Sequence, residues 1–260
     1  MNILDRLAEH ARERTEQAKR TLPYEQLRER ALALPKGDFR FEQALRKEGI
    51  AFICECKKAS PSRGLIAEDF PYLQIASEYE AAGADAISVL TEPKWFLGSG
   101  EYLREIAERV SVPCLRKDFT VDPYMIFEAK LMGAASVLLI CSILNPVELL
   151  AYRELCDELG LSALVEAHDE DEIRMALDAG ARIIGVNNRN LKDFTVDTEN
   201  SRRLRALIPS GVLFVSESGV KDAADVAALR EIGADAVLVG EALMRAKDKR
   251  LMLRQLRGEA

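Results

Sequence analysis

Short apolar runs recur along most of the chain, and amphipathic patterns separate them. Four of the runs follow a Gly-Ala pair: AGADAISVL (82–90), MGAASVLLI (132–140), AGARIIGVN (179–187) and IGADAVLVG (232–240). Four others alternate with them: AFICEC (51–56), VPCLRK (112–117), SALVEA (162–167) and VLFVSE (212–217). Each run is too short for an independent helix and is rich in small and β-branched residues, so each predicts a buried strand.

The segments between these strands are predicted to be helices. PYLQIASEYEAAG (71–83) ends in a glycine that suits a helix C-terminus, and NPVELLAYRELCDELG (145–160) has proline at a favourable first helical position. Strands that alternate with helices pair in parallel, and eight such units favour an α/β fold of the (β/α)8 TIM-barrel type. The alternative is a doubly wound open sheet, but no GxGxxG motif follows the first strand.

The first predicted strand is preceded by a helical segment. Residues 1–49 contain ILDRLAEHARER (3–14) and PYEQLRERALAL (23–34), both with helical patterns. We expect residues 1–49 to form an N-terminal helical extension packed on the barrel of residues 50–260, within a single domain overall.

Polar residues follow the apolar part of several strands. In the first strand Glu55 and Lys57 share a side with Ala51 and Ile53, because alternate strand residues face the same way. The same ending recurs on strands three, five, six and seven, with Lys117, Glu166, Asn187 and Arg189, and Glu217. In this architecture the carboxyl ends of the strands carry the active site, so we expect these groups to converge there.

Two glycine-containing turns at the ends of strands seven and eight predict a phosphate site. Ser218 and Gly219 follow strand seven, and Gly240 and Glu241 follow strand eight. If each turn opens the next helix, its backbone N–H groups are directed at an anion. Barrels often bind phosphate at this position.

Composition and charge narrow the range of functions. Of the 260 residues 48% are hydrophobic and 30% are charged, which is ordinary for a soluble enzyme, and no apolar run approaches the length of a membrane span. The net charge of −7 argues against nucleic-acid binding. The charged start does not resemble a secretory signal, so we expect a cytoplasmic protein, with its five cysteines as buried free thiols.

Metal chemistry has little support in the sequence. His10 and His168 are the only histidines, and no carboxylate cluster has ligand spacing. His168 could face the mouth, but a position at a helix start or in solvent is favoured because DEDE follows it.

Trp95 and Phe96 suit either ordinary loop packing or an aromatic substrate. The loop from Ala59 to Asp69 contains small, polar and glycine residues, which suit a mobile lid.

The motifs together resemble a known family. ECKKASPSRG, LRKDF, LVEAH, IGVNNRNL, SESGV and VGEALMR occur in this order at the predicted strand ends. This series resembles indole-3-glycerol-phosphate synthase of tryptophan biosynthesis over nearly the whole chain. The resemblance implies a carboxy-lyase of aromatic amino acid biosynthesis that converts 1-(2-carboxyphenylamino)-1-deoxyribulose 5-phosphate to indole-3-glycerol phosphate, with loss of CO2 and water.

The resemblance also implies a set of site residues and no cofactor. The catalytic pattern of the family falls on Glu55, Lys57, Lys117, Glu166, Asn187 and Ser218. Its binding positions fall on Ser60, Arg189, Gly219, Gly240 and Glu241, and Phe96 is expected to contact the substrate. Relatives can carry a serine where this chain has Glu241, which leaves the backbone N–H there for phosphate. We expect a monomer whose only partner is its phosphorylated small-molecule substrate.

The chemistry of ring closure is consistent with this set. Negative charge develops on a ketone oxygen, so Lys117 is expected to act as the general acid, and Lys57 or Glu166 as the acid for dehydration. Glu55 is expected to adjust the proton balance by pairing with a lysine. Two alternatives stay open: another sugar-phosphate barrel, either an isomerase or a lyase, and a non-catalytic phosphate-binding barrel.

Overall fold

Eight parallel strands close into a barrel in the computed structural model, which describes residues 3–190 and 194–259. Each strand pairs with the strands before and after it in the chain, and the last pairs with the first. The predicted TIM barrel is therefore confirmed. The strands are β1 Ala51–Cys56, β2 Ala86–Leu90, β3 Cys114–Lys117, β4 Ser136–Ile140, β5 Ser162–Ala167, β6 Ile183–Asn187, β7 Leu213–Glu217 and β8 Ala236–Val239.

Alternate residues of each strand fill the barrel interior. Ala51 and Ile53 of β1 belong to the same buried cluster as Leu115 of β3 and Leu164 of β5. The intervening residues, such as Phe52, pack outward against the surrounding helices in a second cluster. The inward direction of Glu55 follows from the same alternation, because Glu55 lies two positions after Ile53.

The helices surround the barrel and several begin at well-formed caps. Asn145 and Asp222 each accept backbone N–H groups in capping boxes, and Pro146 is the first residue of its helix, as predicted. The described helices are α1 Ile3–Thr21, α2 Tyr24–Ala33, α3 Arg40–Leu45, α4 Tyr72–Ala81, α5 Gly100–Arg109, α6 Pro123–Leu131, α7 Pro146–Leu159, α8 Glu170–Asp178, α9 Glu199–Arg205, α10 Ala223–Glu231, α11 Glu241–Arg245 and α12 Lys249–Arg257, with a 3-10 turn at Cys141–Ile143.

The helices that precede β1 contact both ends of the barrel. Helix α1 is tied to the carboxyl-end loops, since Arg14 Nη2 lies 2.7 Å from Asp118 Oδ1 and His10 Nδ1 lies 3.2 Å from Glu92 Oε1. Helix α3 closes the amino end, where Phe41 and Leu45 are buried among the interior residues of the strands. The extension therefore covers the floor of the barrel as well as part of its mouth.

The loop between β1 and α4 carries a small structure that the sequence did not predict. Ala59–Ser60 and Gly64–Leu65 form a two-residue antiparallel ladder, so the proposed lid is folded back on itself as a tight hairpin. All five cysteines are buried and free, as expected from their apolar surroundings. Among the described helices, none combines the length and apolar character required to cross a bilayer.

Candidate active site

The polar strand ends converge on one cavity at the carboxyl end of the barrel. The cavity has a volume of about 770 Å³, a size typical of small-molecule sites. All twelve site residues predicted from the sequence line it. They are Glu55, Lys57, Ser60, Phe96, Lys117, Glu166, Asn187, Arg189, Ser218, Gly219, Gly240 and Glu241.

Glu55 and Lys57 form a tight ion pair at the end of β1. Lys57 Nζ lies 2.6 Å from Glu55 Oε1, and the second carboxylate oxygen accepts a hydrogen bond of 3.3 Å from Ser88 Oγ on β2. Burial alone would raise the pKa of Glu55, but Lys57 and Lys117 together lower it. Glu55 is therefore ionised at neutral pH and fixes the position of the Lys57 ammonium.

Lys117 lies between two buried carboxyl groups. Its Nζ is 3.2 Å from Glu166 Oε2 on β5 and 3.5 Å from Glu217 Oε2 on β7. Burial lowers the pKa of Lys117, but Glu166, Glu217 and Glu55 raise it well above its ordinary value. The ammonium is thus charged and points into the cavity, above Leu115 of the barrel interior as the strand alternation predicted.

The two carboxyl groups beside Lys117 carry different charges. Burial raises the pKa of Glu217 to about 8, because Lys117 offsets only part of the effect of burial and Glu166 and Glu55 add to it. Burial also acts on Glu166, but Lys117, His168 and a hydrogen bond from Asn187 lower its pKa. Glu217 is therefore largely neutral at pH 7, while Glu166 is ionised.

Two glycines provide room for these side chains. A Cβ on Gly185 of β6 would lie 2.1 Å from Glu217 Oε1, so only glycine leaves space for that carboxyl group. A Cβ on Gly240 would lie 2.7 Å from Glu55 Oε1 and 3.1 Å from Lys57 Nζ. Gly240 was predicted from the sequence to lie at a phosphate site. Its contact with the β1 ion pair is an additional reason for a glycine.

The turns after β7 and β8 differ from each other, and one expectation was wrong. Ser218 and Gly219 do not open the next helix, because α10 starts at Ala223 behind its own cap, Asp222. They form instead a turn with positive φ angles of 65° and 100°. Glu241 does open α11 with Gly240 as its N-cap, and no side chain of the described residues caps that helix.

One side of the cavity is apolar, and part of it comes from helix α1. Leu4 and Leu7 line the cavity together with Phe96, Phe119 and Ile140. Phe96 was predicted from the sequence, but the two leucines were not, because their only signal was the apolar stripe of α1. Trp95 instead packs on α1, with its ring 5.3 Å from that of His10 and Lys94 Nζ 4.7 Å above it. Phe96 therefore lines the cavity, whereas Trp95 packs its loop against α1.

Glu217 was predicted only as a charged strand end without a role, and a helix-start or solvent position was favoured for His168. The structure buries Glu217 beside Lys117. His168 lies before α8, with its side chain 18% exposed and Nε2 3.4 Å from Glu166 Oε1. His168 therefore lies at the helix start, as favoured, and it also faces Glu166, which is the alternative that the sequence LVEAH predicted, since residues 166 and 168 of an extended segment share a face.

Arg189 and Ser60 border the cavity on the side of the β1–α4 loop. Arg189 is held by a hydrogen bond of 3.1 Å from Nη1 to Phe194 O, and burial and the nearby Arg63 lower its pKa. Arg63 Nε lies 3.2 Å from Glu241 Oε2, so the loop hairpin is joined to the start of α11. Two guanidinium groups and the uncapped α11 give this end of the cavity a preference for anions.

The geometry suits proton transfer to and from a bound molecule that is anionic at one end and apolar at the other. Lys117 and Lys57 present ammonium groups that can donate a proton, Glu166 presents an ionised carboxylate that can accept one, and the guanidinium groups can contact an anion. Among the described residues, no three His, Cys, Asp or Glu side chains are grouped so that they could hold a metal ion.

Comparison with known proteins agrees with this chemistry. Residues 4–256 match the family described as "Indole-3-glycerol phosphate synthase". An indole-3-glycerol phosphate synthase of Ruminiclostridium cellulolyticum is 56% identical, covering 99% of this chain and 100% of the relative. Another from Lachnoclostridium phytofermentans is 48% identical, covering 98% of each. A crystal structure of 3-hexulose-6-phosphate synthase from Salmonella typhimurium has a TM-score of 0.65 at 15% identity, over 80% of this chain and 97% of that one, and shows the fold alone.

Proposed function

The chain belongs to the indole-3-glycerol phosphate synthase family, and we propose that Lys117 is the general acid of its ring-closing step. The enzyme converts 1-(2-carboxyphenylamino)-1-deoxyribulose 5-phosphate to indole-3-glycerol phosphate, releasing CO2 and water. The observation that supports the role of Lys117 is its position, charged and centred between Glu166 and Glu217 on the floor of the cavity.

The shape and charge of the cavity support one orientation of the substrate. The phosphate binds at the end with Arg63, Arg189 and the Gly240–Glu241 turn, next to Ser218 and Gly219, which follow the neighbouring strand β7. The aromatic ring lies against the apolar wall that includes Phe96. The ketone carbon then lies between these ends, above Lys117.

The first bond forms when the aromatic carbon that bears the carboxylate attacks the ketone. Lys117 Nζ donates a proton to the oxygen as charge develops on it. The carboxylate then leaves as CO2, and its bonding electrons restore the aromatic ring. Asn187 hydrogen-bonds Glu166 and so keeps that carboxylate directed at the reacting atoms.

Dehydration requires an acid at the new hydroxyl group and a base at the neighbouring carbon. We assign the acid to Lys57, because Glu55 holds its ammonium at the cavity rim with a contact of 2.6 Å. We assign the base to Glu166, which is ionised and accepts the carbon-bound proton. The two groups stand on β1 and β5, on opposite sides of the barrel.

The test of the assignment is a fluorescence assay of indole product with the purified enzyme and chelator present. The wild type should turn over without added metal. Lys117→Met should lose the chemical step, and Lys57→Met should accumulate a decarboxylated intermediate that is still hydroxylated. If Lys57→Met stops before CO2 release, the order of the two acids is reversed.

Three further proposals concern the molecule as a whole. Residues 1–49 and the barrel fold as one unit, as supported by the contacts of α1 and α3 at the two barrel ends. The enzyme is a monomer, which light scattering would test. It works in the cytoplasm, as supported by five free thiols that pair with nothing in the described chain.

A further inference from the structure

His168 stands between the catalytic cavity and a second, polar cavity. Its Nε2 is 3.4 Å from Glu166 Oε1, and its Nδ1 is 3.0 Å from Glu172 Oε2 on α8. Glu172 also accepts the backbone N–H of His168 at 2.7 Å, and Ser142 Oγ donates to the other oxygen of Glu172. The imidazole is therefore held from one side by a fixed carboxylate.

The contacts determine which nitrogen carries a proton. Because the Glu172 carboxylate can only accept, Nδ1 carries a hydrogen. Nε2 is buried and makes no hydrogen bond with any residue in the described chain. If Nε2 were unprotonated, its lone pair would face the carboxylate oxygen of Glu166. A proton on Nε2 removes this repulsion, and a small rotation of the ring would deliver it to Oε1.

The reaction itself consumes one proton in each turnover. The substrate carboxylate is an anion and leaves as neutral CO2, so one proton is taken up from solution. Dehydration is balanced, because the proton given to the leaving hydroxyl group is matched by the one removed from carbon. The unbalanced proton is the one that Lys117 gives to the ketone oxygen. Lys117 must therefore be recharged before the next turnover.

The second cavity offers a source for that proton. It has a volume of about 570 Å³ and is lined by polar and charged groups, including His168 and Glu172. From it a continuous line of contacts runs through His168 and Glu166 to Lys117, with heavy-atom distances of 3.4 and 3.2 Å for the two inner steps. The substrate covers the other face of Lys117 when it is bound.

We propose that His168 admits the proton that recharges Lys117: Nε2 gives it to the ionised Glu166 at Oε1, and the neutral carboxyl group, turned about its Cγ–Cδ bond, then gives it to Lys117. In the first step the N–H bond of His168 breaks as an O–H bond forms on Glu166, and in the second that O–H bond breaks as the N–H bond of Lys117 forms, which leaves Glu166 ionised again. His168 then regains its proton from solvent in the second cavity. His168 is a positioning and relay residue, and this inference rests on the proposed role of Lys117.

The electrostatic surroundings favour a protonated imidazole. Burial lowers the pKa of His168, but Glu172, Glu166 and Glu217 raise it above its ordinary value, which favours the charged form of the imidazole. The remaining charged groups that line the second cavity have both signs: Asp5, Asp169, Arg189, Asp197 and Arg203.

The test compares the first turnover with later ones. In stopped-flow measurements of indole fluorescence, His168→Gln should form about one product per enzyme at a rate within threefold of wild type. Its steady-state rate should fall about tenfold or more, because Lys117 begins charged but is recharged slowly. In His168→Ala, added imidazole should restore the steady-state rate, and pyrazole, which has the same ring size but is too weak a base to carry a proton, should not.

Control variants separate the relay from a structural role. Glu170→Gln alters the same first turn of α8 at an exposed ion pair with Arg174 and should change neither phase. Equal slowing of the first and later turnovers in His168→Gln would overturn the relay in favour of a structural role. A steady-state rate within twofold of wild type would also overturn it. Loss of the first turnover in wild type, or its survival in Lys117→Met, would instead refute the proposed function.

Discussion

Replacing Lys117 with methionine removes one ammonium group and keeps its apolar stem, so it separates catalysis from packing. We expect kcat to fall by about 10² to 10⁴, the usual effect of losing a positioned acid, which is about 3–5 kcal/mol in the activation barrier. The substrate still finds the apolar wall and the anion contacts. The KM should therefore change much less than kcat.

The same change should also lower stability, by an amount that the structure limits. Removing one partner of a buried ion pair typically costs about 3–5 kcal/mol. Here Glu217 is largely neutral already, and Glu166 keeps contacts with Asn187 and His168, so we expect the lower end of that range. Urea unfolding should show this loss at pH 7.

The stability loss should depend on pH with a defined sign. In the wild type the folded-state pKa of Glu166 is lowered, so its contribution is present above the unfolded value of 4.5 and is lost as pH falls. In Lys117→Met, burial without the ammonium raises that pKa. The difference in the free energy of unfolding between wild type and Lys117→Met should thus widen as pH rises above 4.5 and narrow below it.

Lys130→Met is a matched control. Lys130 Nζ donates to Pro35 O at 2.8 Å and Leu159 O at 3.0 Å, so its loss removes a partly buried ammonium on α6, outside the cavity lining. This control should lose stability and keep kcat. If Lys117→Met retained more than about a tenth of wild-type kcat, well short of the loss expected for a removed acid, Lys117 would be only an ion-pair partner.

Three other changes test separate parts of the site. Gly240→Ala places a Cβ 2.7 Å from Glu55 Oε1, so it should displace the ion pair with Lys57 and lower kcat at least tenfold, with little loss of unfolding midpoint by calorimetry. Glu217→Gln removes a group whose pKa is raised to about 8. The free energy of unfolding of the variant, measured in urea, should therefore increase relative to that of the wild type as pH rises from 4.5 through 8. Residues 59–69 should gain hydrogen-exchange protection when a substrate analogue binds, and equal protection with and without it would exclude a lid.

The sequence predicted those features that follow from strand periodicity. Glu55, Lys57 and Lys117 were located because alternate residues of a strand share a face, and because strand ends of a barrel form one ring. The apolar residues beneath them, such as Ile53 and Leu115, gave the inward direction. These relations depend on local spacing and therefore can be read from a single chain.

Features that depend on side-chain contacts between different strands could not be predicted. Gly185 gives no local sign that it makes room for Glu217, because the two residues are far apart in the chain and meet only across the β6–β7 pair. The neutral state of Glu217 likewise depends on three other charged groups from other strands. The turn at Ser218 was placed at a helix start because nothing in the motif shows that Asp222 caps α10 instead.

The N-terminal extension also has a consequence for the order of folding. Arg14 of α1 pairs with Asp118, 104 positions later in the chain. Glu42 of α3 pairs with Arg182, 140 positions later. Residues 1–49 leave the ribosome before the barrel does, whereas these partners stand at positions 118 and 182 of the 260 residues. The extension therefore cannot form these ion pairs until its partners have been made, and Leu4 and Leu7 complete the cavity wall only together with the barrel. A nascent chain acquires its substrate site as one of the last events of folding.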